Sequence, residues 1–164
     1  MNPQQQNESE EETLKEQMGR LIEEARMVLP GVQALFGFQT VAVFNERFAD
    51  LPFYVQAAHT VALGLVVIAI ALVMMPAAYH RLAMPGKVSR HLIKVCSRAI
   101  CYGLAPLAAG LSLDMFVVLH VVSDHDGFSI AGALASFALL MALWFAYPLH
   151  RRRLHGYGST DAGA

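Results

Sequence analysis

The sequence predicts an all-α protein, a four-transmembrane-helix antiparallel bundle preceded by a cytoplasmic amphipathic helix. Three observations carry that reading. Of 164 residues, 55% are hydrophobic and only 15% charged, against roughly 25% charged in an ordinary soluble domain, so a solvated surface is underfurnished. The charges are also segregated, with seven acids and three bases before Met27 and none over long later stretches. Finally, four charge-poor stretches reach the roughly 20 residues a helix needs to cross about 30 Å of hydrocarbon at about 1.5 Å per residue. Segments such as Val61 to Met75 lack the apolar/polar alternation of a membrane barrel strand. Disorder and a disulfide scaffold are disfavoured by the same composition. A net charge of -1 offers no polyanion-binding surface, so no nucleic-acid partner is expected.

Residues 1–9 are polar and Gln-rich and are expected to be disordered. Over residues 10–28, Leu14, Met18, Leu21, Ala25 and Val28 recur at steps of four and three, the spacing of one helical face, with Glu and Arg on the other. Ser9 with Glu12, or Thr13 with Glu16, has capping-box spacing for its start. An acidic face suits anionic lipid poorly, so docking on the chain's own bundle is the preferred contact. No cleavable leader is expected, because the first apolar run follows an acidic segment.

Residues 29–150 form the transmembrane domain, with spans at about 28–45, 52–79, 99–122 and 127–149. The first opens with Leu29-Pro30-Gly31, where Pro30 fits a first helical turn. Its Gly31, Ala34 and Gly37, the third span's Gly103, Pro106 and Gly110, and the fourth span's Ala131, Ala135, Ala138 and Ala142 are small residues that admit a neighbouring backbone. Tyr79, Trp144 and Tyr147 fall where interfacial anchors belong. Residues 151–164 form a basic, then flexible, tail.

Positive charge in short connections prefers the cytoplasm. Arg81, Lys87, Arg90, Lys94 and Arg98 lie in one acid-free connection, and Arg151, Arg152 and Arg153 open the tail, which places both segments inside. The connections holding Glu46, Arg47 and Asp50, and Asp124 and Asp126, are then outside. Four spans put both termini in the cytoplasm. Arg81, Arg90, Lys94, Arg98, Arg151, Arg152 and Arg153 serve topology and meet lipid headgroups, with His80, His91, His150 and His155 beside them.

Glu24-Ala25-Arg26, Leu29-Pro30-Gly31-Val32-Gln33, Leu35-Phe36 and Pro76-Ala77-Ala78-Tyr79-His80-Arg81-Leu82 resemble a family of small bacterial four-helix membrane proteins classed as a domain of unknown function. The likeness runs from about Leu14 to the end of the third span. It implies a bacterial inner-membrane protein and assigns no activity, substrate, cofactor or catalytic residue.

A charge inside a bilayer costs roughly 2.5 to 3.5 kcal/mol on insertion scales, which makes Asp114 the leading functional candidate. It shares a helical stripe with Gly110, Leu107 and Gly103, so it is expected to face the bundle. His59 lies at a similar depth in the second span, Gln39 near that level in the first, and His120 closer to the outside on Asp114's own helix but on another face. Asp114, His59, Gln39 and His120 thus form the predicted polar cluster of the outer half. It either fixes helix register by interhelical hydrogen bonds or holds a proton or solute. Haem between His59 and His120 is the rival, strained by their difference in depth, and otherwise no cofactor is expected.

No metal site is expected. Met74, Met75 and Met84 are ordinary core filling beside the weaker reading of copper ligands. Asp124-His125-Asp126 sits in a tight turn where exposure is the default and a weak divalent site the alternative, and Cys96 and Cys101 are five apart, a spacing of neither a redox pair nor a zinc knuckle. No phosphate loop, nucleophile elbow or metalloprotease motif is present, so no enzymatic activity is expected. The partners expected are the lipid bilayer and a homo-oligomer or another membrane protein.

Overall fold

A computed structural model describes residues 3–83 and 89–151. Among them every regular element is helical: α1 Pro3–Ala42, α2 Glu46–Ala49, α3 Phe53–Ala83, α4 Arg90–Ser123, and α5 Asp126–Met141, which runs on through a π-helical turn at Ala142–Ala146. Three helices are long and apolar enough to cross a membrane: Phe53–Tyr79, Arg90–Ser123 and Asp126–Arg151. The second, third and fourth predicted spans fall within them.

The first predicted span does not form separately. Residues expected to be disordered (from Pro3), the amphipathic segment and the apolar stretch make one 40-residue helix, because Gln and Glu are good helix formers and the helix continues through Pro30. Pro30 lies inside this helix rather than at its start, so the Arg26 carbonyl loses its usual i+4 donor. The helix stops at Ala42, where the N–H groups of Phe44 and Asn45 turn back to the carbonyls of Val41 and Ala42, and the Asn45 side chain accepts the Arg47 N–H at 3.0 Å. This Asx turn ends the charge-free helical part at about 16 residues, or about 24 Å, short of a full crossing.

The chain divides into two units. The first comprises Met1–Ala49 and Leu63–Leu107. In it α1 turns one stripe inward, with Leu14, Leu21, Ile22, Ala25 and Leu29 partly buried and Met18, Val32 and Gln39 buried. Met18 packs with Leu92 and Cys96 of α4, flanked by Leu21 and Ile22. Val28, predicted on this stripe, is instead exposed and Leu29 takes its place. Farther along, α3 crosses α4 at Gly103, where a Cβ would stand 3.3 Å from both Leu72 Cβ and Val73 Cγ2. Gly31 and Gly37 have open space where a Cβ would be, so they do not provide the close approach predicted for them. Ser89 starts α4, its hydroxyl accepting the Leu92 N–H at 3.2 Å.

The second unit comprises Asp50–Ala62 and Ala108–Ala164. Pro52 begins α3 by accepting the N–H groups of Val55 and Gln56. A Cβ on Gly132 of α5 would meet Leu119 of α4, so α5 approaches α4 through Gly132. The predicted ridge of Ala131, Ala135, Ala138 and Ala142 is exposed on another side.

Candidate functional site

Helical period places Val55, His59 and Ala62 on one face of α3, and all three are buried. On α4 the buried positions of the same unit include Ala108, Ser112, Val117 and His120. Ser112 satisfies its own hydroxyl by donating to the Ala108 carbonyl at 2.7 Å, so it asks nothing of a neighbouring helix. One polar pair that meets across helices is His59 with Asp114: Nδ1 stands 3.5 Å from Oδ1, with side chains 5% and 17% exposed. The contact is an ion pair when the imidazole is protonated.

A second pair lies toward the α4–α5 turn. His120 Nδ1 is 3.1 Å from Asp126 Oδ1 but outside hydrogen-bonding alignment, so the contact is one of charge, formed when the imidazole is protonated. Tyr54 donates its hydroxyl to the same Asp126 oxygen at 2.8 Å and sets its ring edge-on to His120 at 5.8 Å. Phe116 stacks on the same His120 imidazole, ring centroids 6.1 Å apart. His120 is thus held by aromatic rings from α3 and α4 while its polar edge meets α5.

The turn itself is tied down. Asp124 has φ 51°, a left-handed conformation that Asp tolerates better than most residues. His125 Nδ1 lies 2.8 Å from the Ser123 carbonyl, and fully buried Ser129 donates its hydroxyl to the His125 carbonyl at 2.9 Å. These bonds fix the first turn of α5, and with it Asp126. Among the described residues no three His, Cys, Asp or Glu side chains gather as metal ligands.

The predicted cluster is therefore resolved into two pairs within one unit, His59 with Asp114 and His120 with Asp126. Gln39 is buried on α1 in the other unit. Tyr54 and Asp126 complete the second pair and were not among the predicted cluster; a hydroxyl and a carboxylate at the first turns of two apolar helices were the available signal. Arg81, Arg90, Lys94, Arg98 and Arg151 are exposed, whereas Met84, Lys87, Arg152, Arg153 and His155 lie outside the described residues. Cys96 is buried against Met18 and Leu92, Cys101 is exposed, and both are free thiols.

Comparison with known proteins places these features in a family. The chain belongs to a family of unknown function, DUF6328, which matches residues 7–148. No curated protein and no solved structure matches it.

Proposed function

We propose that this member of the family is a small, non-enzymatic, multi-pass protein of the bacterial inner membrane whose His59–Asp114 pair holds a proton or a small solute. The observation that carries the reading is a carboxyl and an imidazole 3.5 Å apart and nearly buried on two apolar helices. An acid in such a place is retained against a large desolvation cost, and a partnered imidazole lets it change protonation without leaving a bare charge.

The proposed architecture is a bundle of four spans, with α1 the first. Its helical apolar part is short for a crossing, yet Met27, Phe38 and Val41 are 74%, 75% and 67% exposed, and Phe44 just beyond is 83% exposed. Side chains of this size so placed fit hydrocarbon rather than water. The packing of Met18 on Leu92 and Cys96 sets the start of α1 beside the basic start of α4, which supports an N-terminus on the cytoplasmic side. Both termini are then cytoplasmic. Exposed Ala131, Ala135, Ala138 and Ala142 suit a homo-oligomer or another membrane protein.

The test is a proton gradient across proteoliposomes loaded with a pH-sensitive dye. Wild type is expected to collapse the gradient faster than empty vesicles, and Asp114→Asn to abolish the difference while the protein stays folded. If both proteins leave the gradient intact and Asp114→Asn merely melts lower, the pair ties α3 to α4 and does nothing more.

Haem ligation by His59 and His120 is the second reading, favoured by one observation: each imidazole sets Nδ1 toward a carboxylate, the arrangement that commonly orients a ligating histidine. Oxidised and dithionite-reduced spectra of the purified protein from haem-replete cells decide it. A Soret band lost in His59→Ala supports haem, and a featureless spectrum removes it.

A further inference from the structure

We propose that the start of α4 is a binding site for anionic phospholipid, with Lys94 and Arg98 engaging headgroup phosphates and Tyr102 marking the boundary of the hydrocarbon. The proposal rests on the membrane reading above and adds a ligand class to it. α4 is 34 residues long, about 51 Å at ~1.5 Å per residue, well beyond the about 30 Å of a hydrocarbon core. All its Lys and Arg lie between Arg90 and Arg98, and no acid appears before Asp114. The excess length is therefore the charged end, and it must emerge at one membrane surface.

Within that end the cations are not scattered. Arg90, Lys94, Arg98 and Tyr102 follow one another at four-residue steps, which aligns them on one face of the helix. All four are exposed, Tyr102 by 66%. The opposite face is the one that packs inward: Leu92 and Cys96 are buried under Met18, Leu21 and Ile22 of α1, and Gly103 adjoins Leu72 and Val73 of α3. The stripe thus faces away from α1 and α3.

Anionic lipid is the occupant that fits this face. Lys94 and Arg98, one helical turn apart where the helix leaves its apolar part, stand at the depth of anionic phosphates, and each Lys or Arg near such a surface strengthens attachment roughly fivefold. The exposed tyrosine one turn deeper than Arg98 is amphipathic in the way that headgroup-level anchors are.

The experiment titrates the detergent-purified full chain with phosphatidylglycerol and, separately, phosphatidylcholine, reading melting temperature as the binding signal. Phosphatidylglycerol is expected to raise Tm, and phosphatidylcholine is not. The double variant K94Q/R98Q should need about 25-fold more phosphatidylglycerol for the same rise, whereas Arg47→Gln, the loss of a cation elsewhere, should behave as wild type. Should the double variant fail to fold, wild type alone still tests the idea, because the rise must shrink as salt increases from about 0.1 M to 1 M. Equal stabilisation by the two lipids, a salt-independent rise, or the same rise from inorganic phosphate alone would overturn the assignment. Failure of the membrane reading shows separately, as a chain found in the soluble fraction of cells without detergent.

Discussion

At the residue scale, the side chains that matter are those whose alternatives are worse than their present partners. Asp114 has His59 at 3.5 Å, so replacing His59 with Leu should destabilise more than replacing Asp114 with Asn, since the first puts an apolar side chain against a carboxyl and the second only weakens a contact. Thermal melts of the two variants in one detergent check the order. Asp124 is at φ 51°, so Asp124→Val is expected to cost about 1–2 kcal/mol and Asp124→Asn little. Tyr54→Phe removes the bond to Asp126 and should cost about 0.5 kcal/mol, because the carboxylate is 59% exposed and can turn to water. The contact of Asp114 with His59 was legible in the sequence from their rarity in apolar stretches and their similar depth. The partnership of His120 with Asp126 was not, because Asp126 read as part of an exposed turn, and its direction depends on how Ser129 and His125 seat the first turn of α5.

At the element scale, the two helix contacts of the first unit differ in kind and should fail differently. The contact of α1 with α4 is filled by side chains, Met18 against Leu92 and Cys96. Met18→Ala should therefore leave a cavity and cost about 2–3 kcal/mol, while Val28→Ala, on the exposed side, should change stability by less than about 0.5 kcal/mol. Chemical denaturation of both variants in micelles separates them. The contact of α3 with α4 at Gly103 has no such slack, with Leu72 Cβ and Val73 Cγ2 each 3.3 Å from a would-be Cβ. Gly103→Val should destabilise by about 1–3 kcal/mol by overpacking, whereas Gly37→Ala, in open space, should be tolerated. Periodicity identified the inward stripe of α1 up to Ala25, and it assigned Val28 where Leu29 stands because a strict three-and-four alternation drifts from the 3.6-residue period. Small residues marked every candidate packing site equally, and only the path of a neighbouring backbone distinguishes Gly103 from Gly31 and Gly37.

At the scale of the whole molecule, the number of crossings has a parity that one measurement reads. Reporters fused to the two ends should fall on the same side of the membrane for four spans and on opposite sides for three. A cysteine placed at Glu46 should then react with an impermeant reagent from outside, and one placed at Arg90 should not. What the sequence by itself determined is the all-helical character, the three long apolar helices and the acid within the middle one of them. These follow from how many apolar residues run without a charge, which is a one-dimensional property of the chain. What only the tertiary structure decided is that α1 is one helix through Pro30 that stops at Ala42, and that His59 meets Asp114 while His120 meets Asp126. Ending a helix depends on the Asn45 turn, and pairing side chains depends on the relative rotation of two helices about their axes, which no pattern along a single strand of sequence contains.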